Sequence, residues 1–392
     1  MLAKSLQIIG ATLLLTAVLT VVAVRAETGV STDKIVFGQA APLDGSAAAL
    51  GQGMREGLLA AFAEANKAGG VKGHKIELIS VDDGYEPNKS IEVTKKLLDD
   101  DKVFALIGPV GTPTSAATQP IATEGGIPFI GAFTGAEFLR NPYKANVVNL
   151  RASYFQETEA MVERLTKDVG ASKIAIMYQD DAYGRAGLAG VQAALERRKM
   201  QLVAEGTYER NTVAVKGAVL SIKKGNPDAV IMIGAYKPCA EFIKLARQAK
   251  LDAVFVNISF VGSDALAKEL GPAGAGVVIT QVVPYPRDPS VGIVGKYQAA
   301  LKAVNPSAEP GFVSLEGYMV GRLAIAALDR IAGDITRQAL LDVFSKNGSF
   351  DLDGTKLAFA ADKNHGSDTV YLTVLQADGT FKAVSVLSKA GS

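Results

Sequence analysis

Short unbroken apolar runs alternate along the chain with stretches whose apolar residues recur three or four apart. The first kind predicts buried strands and the second predicts one face of a helix. Residues 35–37 predict a first strand, a Gly/Ala-rich loop covers 41–53, and Leu58, Leu59, Phe62 and Ala65 mark a helix that Gly69-Gly70 stops. A strand over 75–81 ends in Asp82-Asp83, and 87–99 predicts a helix with Ile91, Thr94 and Leu98 in register. Strands over 104–107, 128–131 and 147–150 follow, with a helix between the first two. The pattern then restarts. Helix faces at Val162/Leu165/Val169, after 182–184, at Val215/Val219/Ile222 and at Phe242/Leu245/Ala249 alternate with strands over 173–178, 202–208, 229–233 and 254–258. Alternation of this kind predicts parallel sheets covered by helices on both faces, and its repetition predicts two α/β units.

From Val277 the pattern changes. A strand over 277–282 leads through Pro284-Tyr285-Pro286 to helices over 293–303, 312–331 and 337–345. The tail, 357–387, alternates apolar and polar residues around Asp378-Gly379, which predicts strands and a hairpin turn. Neither unit is complete after one pass, so the chain is expected to cross between them more than once.

The length of 392 residues suits two domains with full cores, and the formal net charge of +1 gives no argument for nucleic acid or an anionic membrane surface. Lys4, an apolar run over 6–24 and Val24-Arg25-Ala26 predict a secretory signal cut after Ala26; an uncleaved anchor is the alternative. The one cysteine, Cys239, excludes an intrachain disulfide and a lipid-anchored mature N-terminus. No later run is long enough to span a bilayer, so a soluble, exported protein is expected.

The candidate chemistry gathers at the turn after the 104–107 strand. Thr112 is placed to cap the following helix, Pro113 suits its first position, and Thr114 and Ser115 follow. A helix start favours an anion, and three neutral hydroxyls crowd this one without a Lys or Arg. Such a tip suits a small carboxylate held by hydrogen bonds. Ala132 and Thr134, at the end of the 128–131 strand, bring another hydroxyl to the same rim. The simpler alternative is a capped helix in an ordinary α/β domain.

Enzyme signatures are weak. His74 and His365 lie in polar, Gly-flanked loops, no His/Cys cluster has metal-ligand spacing, and neither a G-x-S-x-G elbow nor a Walker loop occurs. The acidic strand ends (Asp82, Asp83, Asp180, Asp181) have no identified acid/base partner. Gly51-Gln52-Gly53-Met54-Arg55-Glu56-Gly57 imitates a dinucleotide loop, but a long loop separates it from the strand and its spacing is G-x-G-x-x-x-G. No catalysis, cofactor or metal is expected.

A leader, two α/β units and ligand groups at facing strand ends make the chain similar to the type I periplasmic solute-binding proteins of ABC importers, in the branched-chain amino acid and amide group. The resemblance is carried by IVFGQAAPLDG (35–45) with GQGMREG, ANKAGGVKGHKIELISVDD (65–83), IGPVGTPTSAATQPI (107–121), GIPFIGAFT (126–134), DDAYGRAG (180–187) and FVGSDALAKELG (260–271). It implies two Rossmann-like lobes joined by a multi-strand hinge, residues 33–152 with 282–365 in one and 153–281 with 366–392 in the other. It further implies a periplasmic monomer that traps an amino acid, an amide or an aromatic or other organic acid and presents it to permease subunits. A ligand sensor and an exported α/β enzyme are the rivals. Thr112, Ala132 and Thr134 match the contacts to a ligand's carboxylate and amino groups. Tyr183 and Tyr236 match aromatics closing from the second lobe. Asp264 matches the carboxylate for the ammonium, one methylene shorter than the usual Glu. Leu50, Gly111 and Phe312 match side-chain pocket positions, the first two implying a reshaped or roomier pocket.

Overall fold

The computed structural model describes residues 27–388; the secretion signal expected over 1–26 lies outside them. Strands β1 (Lys34–Ala41), β2 (Lys75–Asp82), β3 (Ala105–Ile107), β4 (Phe129–Ile130) and β5 (Val147–Val148) form a parallel sheet in the order β2-β1-β3-β4-β5. Helices α1 (Ala48–Lys67), α2 (Pro87–Asp99) and α3 (Thr112–Glu124) connect the first four of them. Seven of the eight residues of β1 are buried, as a strand covered on both faces requires.

The second unit opens with α4 (Tyr154–Lys167), whose Ser153 and Gln156 make a reciprocal capping box. It continues through β6 (Ile174–Gln179), α5 (Ala182–Glu196), β7 (Leu202–Tyr208), α6 (Lys216–Lys224), β8 (Ala229–Ile233), α7 (Tyr236–Gln248), β9 (Val254–Asn257), α8 (Ser263–Leu270) and β10 (Val278–Gln281). The chain then forms α9 (Gly292–Val304), α10 (Phe312–Asp329) and α11 (Arg337–Asn347), the hairpin β11 (Ser349–Leu352) with β12 (Thr355–Ala358), and finally β13 (Tyr371–Leu375) and β14 (Phe381–Val384). The second sheet runs β14-β13-β10-β9-β8-β6-β7, parallel except for β13, which is antiparallel to both its neighbours. Two lobes result, with α9 and α10 packed back against α1 of the first. Two of the crossing segments pair directly: Asn149 donates its N–H to the Asn364 carbonyl at 2.7 Å and accepts one from Gly366 at 2.9 Å.

Each sheet reverses direction of progress once, at β1/β3 and at β6/β8, and crevices form at the carboxyl ends of such strands. Those ends lead into 108–112 in one lobe and into 180–183 and 234–236 in the other.

Two local expectations need correction. The loop expected over 41–53 ends early, because α1 begins at Ala48 and carries Gly51, Gly53 and Gly57 inside it. A Cβ on Gly51 would lie 1.9 Å from the Pro42 carbonyl oxygen, and one on Gly57 1.9 Å from that of Ser314. Gly51 and Gly57 let backbones touch, and Gly53 lies against the Val313 side chain. The hairpin of β11 and β12 was not expected at all, although its Asp353-Gly354 turn, both residues at positive φ, is a recognisable signal. Among the described residues no helix is long and apolar enough to cross a membrane.

Candidate functional site

The start of α3 departs from its expected form. Gly111, at φ +107, is the N-cap and no side chain caps the helix; Thr112 is its first residue. The Thr112 hydroxyl pairs instead with that of Thr134, 2.7 Å away, and Thr134 accepts the Ala136 N–H at 3.2 Å. Ala132 stands just behind, its carbonyl taking the Thr134 N–H at 2.8 Å. A helix start without a side-chain cap keeps its first-turn N–H groups and the positive end of its dipole for another acceptor. Two buried hydroxyls beside it have no hydrogen-bond partner, those of Ser115 and Tyr154. Burial raises the Tyr154 pKa, opposed by Arg151 and by the neighbouring Thr134 and Thr112 hydroxyls.

The second lobe faces this tip. Helix α3 packs on α5, whose N-cap Asp181 accepts the Tyr183 N–H at 2.9 Å. That bond seats Tyr183 in an aromatic group, its ring 5.6 Å from Tyr154 and 4.5 Å from Phe260 between centroids. Phe260 in turn lies 5.3 Å from Phe133 and 6.1 Å from Tyr85, both in the first lobe. Phe260 and Tyr154 were not among the expected site residues. Phe260 follows β9, so the rule that selected other strand ends would have found it.

The remaining expected residues divide. Gly111 does not open space, since a Cβ there would meet the Tyr85 ring at 2.3 Å; the roomier pocket expected at this position is filled by Tyr85. Leu50 is fully buried and packs over Gly262, whose added Cβ would lie 2.5 Å from it. Leu50 and Asp264 border a cavity of about 670 Å³ lined from both lobes, together with Arg55, Lys268 and Arg287. The Asp264 carboxylate accepts the Phe312 N–H at 2.9 Å, and burial raises its pKa against that bond and Arg287. Tyr236 lies near Gly262 and accepts the Ala49 N–H from the first lobe at 3.4 Å. Phe312 stacks with Tyr285 and Phe381, at 6.0 and 5.4 Å, in an aromatic group of its own. Thr112, Ala132, Thr134 and Tyr183 therefore come together; Leu50 and Asp264 share the cavity between the lobes, Tyr236 lies near Gly262 and Ala49, and Phe312 stands apart.

Polar contacts also join the lobes on either side. Arg210 reaches Glu86 at 2.8 Å and Asp181 at 3.0 Å, while Asn211 binds Glu86, the Gly84 carbonyl and Ser46. Where the chain crosses, the fully buried Arg151 contacts Glu157 at 3.1 Å, Ser259, and Glu316 at 3.6 Å. Glu157 also accepts from the Ser259 N–H at 3.0 Å and from Thr280 at 2.5 Å. Burial pushes the Glu316 carboxyl up to about 7 despite Arg151, with Glu157 adding to the rise.

His74 contacts the Lys72 carbonyl and His365 contacts Asp368, and among the described residues no group of three or more His, Cys, Asp or Glu could hold a metal. The Cys239 thiol is buried, and burial alone raises its pKa. What the tip offers is a set of neutral donors beside a helix start.

Residues 34–380 match the family model described as periplasmic binding protein. A Leu/Ile/Val-binding protein homolog 7 of Brucella abortus (strain 2308) is 24% identical over 331 residues, 80% of this chain and 82% of that one. A leucine-, isoleucine-, valine-, threonine- and alanine-binding protein of Pseudomonas aeruginosa is 25% identical, over 66% of this chain and 69% of its own. Among solved structures, a possible leucine/isoleucine/valine-binding protein from Rhodopirellula baltica SH 1 is 37% identical with a TM-score of 0.87, covering 90% of this chain and 96% of that one. The chain belongs to the periplasmic binding protein family, as a two-lobed type I solute-binding protein whose likeness runs to the leucine/isoleucine/valine-binding group.

Proposed function

We propose that the protein captures a small carboxylate-bearing solute between its lobes and delivers it to the permease of an ABC importer. The carrying observation is the α3 start, which no side chain caps and which the Thr112–Thr134 hydroxyl pair and the unpartnered Tyr154 hydroxyl flank. Neutral donors fixed on a rigid helix and strand bind a carboxylate without reorganising. Tyr183 and Phe260 come from the other lobe, so their contacts exist only when the hinge is shut, and a ligand that uses them shifts the population toward closure.

The lobes divide as 33–152 with 282–365 and 153–281 with 366–392, a division that the membership of the two sheets supports. The mature protein works in the periplasm as a monomer without catalysis, after loss of residues 1–26. A thermal-shift screen of the mature chain across amino acids, amides and organic acids tests the proposal, because a ligand that prefers the folded state raises apparent stability by mass action. A stabilising carboxylate is the expected result; stabilisation by uncharged solutes alone would overturn it.

A further inference from the structure

The α3 start is already filled by the protein's own side chains. Thr112 and Thr134 are 1% and 0% exposed, and Tyr154, Tyr183 and Phe260 around them are 0% exposed, so no space wide enough for water touches them. A guest reaches this place only if a side chain gives it up. Tyr85 is the one that lies across it. It belongs to the first lobe, in the turn between β2 and α2, and is itself 1% exposed. On one side its ring covers the α3 N-cap, where a Cβ on Gly111 would meet two ring carbons at 2.3 and 3.0 Å. On the other side stand two residues of the second lobe. The Phe260 ring is 6.1 Å away between centroids, and the Gln179 amide donates to the Tyr85 hydroxyl at 3.3 Å.

The backbone that carries this ring is strained. Tyr85 has φ +61 and follows Gly84 at φ +59, and an aromatic residue seldom takes that left-handed conformation. It persists because the turn is pinned. The Asp82 carboxylate accepts the Gly84 N–H at 3.1 Å, and the Asp83 carboxylate accepts the Tyr85 N–H at 2.9 Å. Strain of this kind is kept where the placement of a side chain matters. The ring is held less firmly than the backbone. Among the described residues its hydroxyl has no hydrogen bond besides the long one from Gln179, which keeps Asp181 at 2.7 Å and Tyr208 at 3.0 Å without it. The neighbouring rings have no such freedom. Tyr154 and Tyr183 are set in the first turns of α4 and α5, Phe133 donates its N–H to the Pro109 carbonyl at 2.8 Å, and Phe260 follows Ser259, whose N–H Glu157 accepts at 3.0 Å. Rotation about side-chain bonds alone turns the Tyr85 ring out, and no helix or strand has to unwind.

Resting on the proposed capture of an acid, we infer that Tyr85 is a built-in stand-in for the guest. It occupies the place over the α3 start in the empty, shut protein, and an incoming acid turns it out. Tyr85 thereby sets how tightly a solute is held, because the seat is free only in molecules whose ring has left, and apparent affinity falls by that fraction. The test pairs affinity with a direct readout of the ring. Calorimetry on the mature chain uses leucine, phenylalanine, 4-methylpentanoate and benzoate as probes. Tyr85→Gly and Tyr85→Asn both suit the left-handed turn. They are expected to bind whichever of these acids the parent binds about tenfold more tightly or better, whereas Tyr85→Phe, which keeps the competing ring, stays within about threefold. In the parent labelled with 3-fluorotyrosine, the fluorine line missing from Tyr85→Phe belongs to Tyr85. The bound acid is expected to shift that line and open it to a soluble gadolinium relaxation agent. This readout needs neither small substitution, so it decides even where those variants fail to fold. Weaker or unchanged binding by folded Tyr85→Gly and Tyr85→Asn would make Tyr85 a fixed wall and overturn the inference while leaving capture of an acid intact. A fluorine line that stays put and shielded while the parent binds acid would do the same. Binding of none of the four acids by parent or variants would overturn the capture of an acid and this inference with it.

Discussion

The Thr112 and Thr134 hydroxyls face each other at 2.7 Å across the gap between a helix start and a strand end. Only one proton lies between the two oxygens, so one hydroxyl is left to donate elsewhere, and Thr134 already accepts the Ala136 N–H. Helix α3 and β4 hold both in place before any ligand arrives. Thr112→Ala is therefore expected to weaken ligand binding by about 1–3 kcal/mol, the usual effect of unpairing a buried polar group. Titration calorimetry with a ligand found by screening checks this, and an unchanged affinity would take Thr112 out of the site.

Arg210 and Asn211 join the second lobe to Glu86, Gly84 and Ser46 of the first. These contacts can form only when the lobes are together, so they favour the closed population with or without ligand. Partly exposed ion pairs contribute about 0.2–1 kcal/mol each. Arg210→Ala is expected to speed ligand dissociation a few-fold with a smaller change in association. Stopped-flow traces with equal dissociation rates would show that the pair does not hold the lobes shut.

Much of the architecture was legible because several short apolar runs coincide with buried strands. The run 229–233 became β8 with all five residues buried, and the apolar spacing over 87–99 became α2 with the same bounds. The start of α1 was not legible. Gly51, Gly53 and Gly57 are poor helix formers in isolation, and only the approach of Pro42, Val313 and Ser314 explains why no larger residue fits. Thr112, Thr134 and Tyr183 could be selected because strand ends mark ligand crevices. Tyr154 could not, since an aromatic after a Ser cap reads as core, and no local pattern reveals that its hydroxyl lacks a partner. Likewise nothing in the sequence shows that the Phe312 N–H comes to the Asp264 carboxylate.

The contact of α1 with α10 gives a stability prediction independent of any ligand. A Cβ on Gly57 would lie 1.9 Å from the Ser314 carbonyl oxygen and 2.5 Å from the Tyr318 nitrogen, and backbone cannot rotate aside as a side chain can. Ala is the better helix former by about 1 kcal/mol, yet here overpacking of about 1–3 kcal/mol or more should prevail. Gly57→Ala is expected to lower the urea midpoint. A midpoint raised by the substitution would mean that the helices separate at little cost.

The Glu316 carboxyl, held up at about 7 by burial and by Glu157 against the pull of Arg151 and Arg140, makes stability depend on pH in a definite direction. In the unfolded chain the group releases its proton near 4.5. Between those values the folded state binds more protons, so stability falls as pH rises through the window. Below it both states are protonated, and above it both are ionised with the full penalty retained. Glu316→Gln removes this contribution while keeping the Arg151–Glu157 pair. Asp83, raised to about 6 by its own burial, acts alike in both proteins and cancels in the difference. A tenfold difference in proton affinity between the folded and unfolded states is worth about 1.4 kcal/mol. The variant's stability relative to the parent is thus expected to climb by up to about 3 kcal/mol from pH 4.5 to pH 8. Urea denaturation across that range measures the difference directly, and parallel curves for the two proteins would show that Glu316 titrates near its ordinary value.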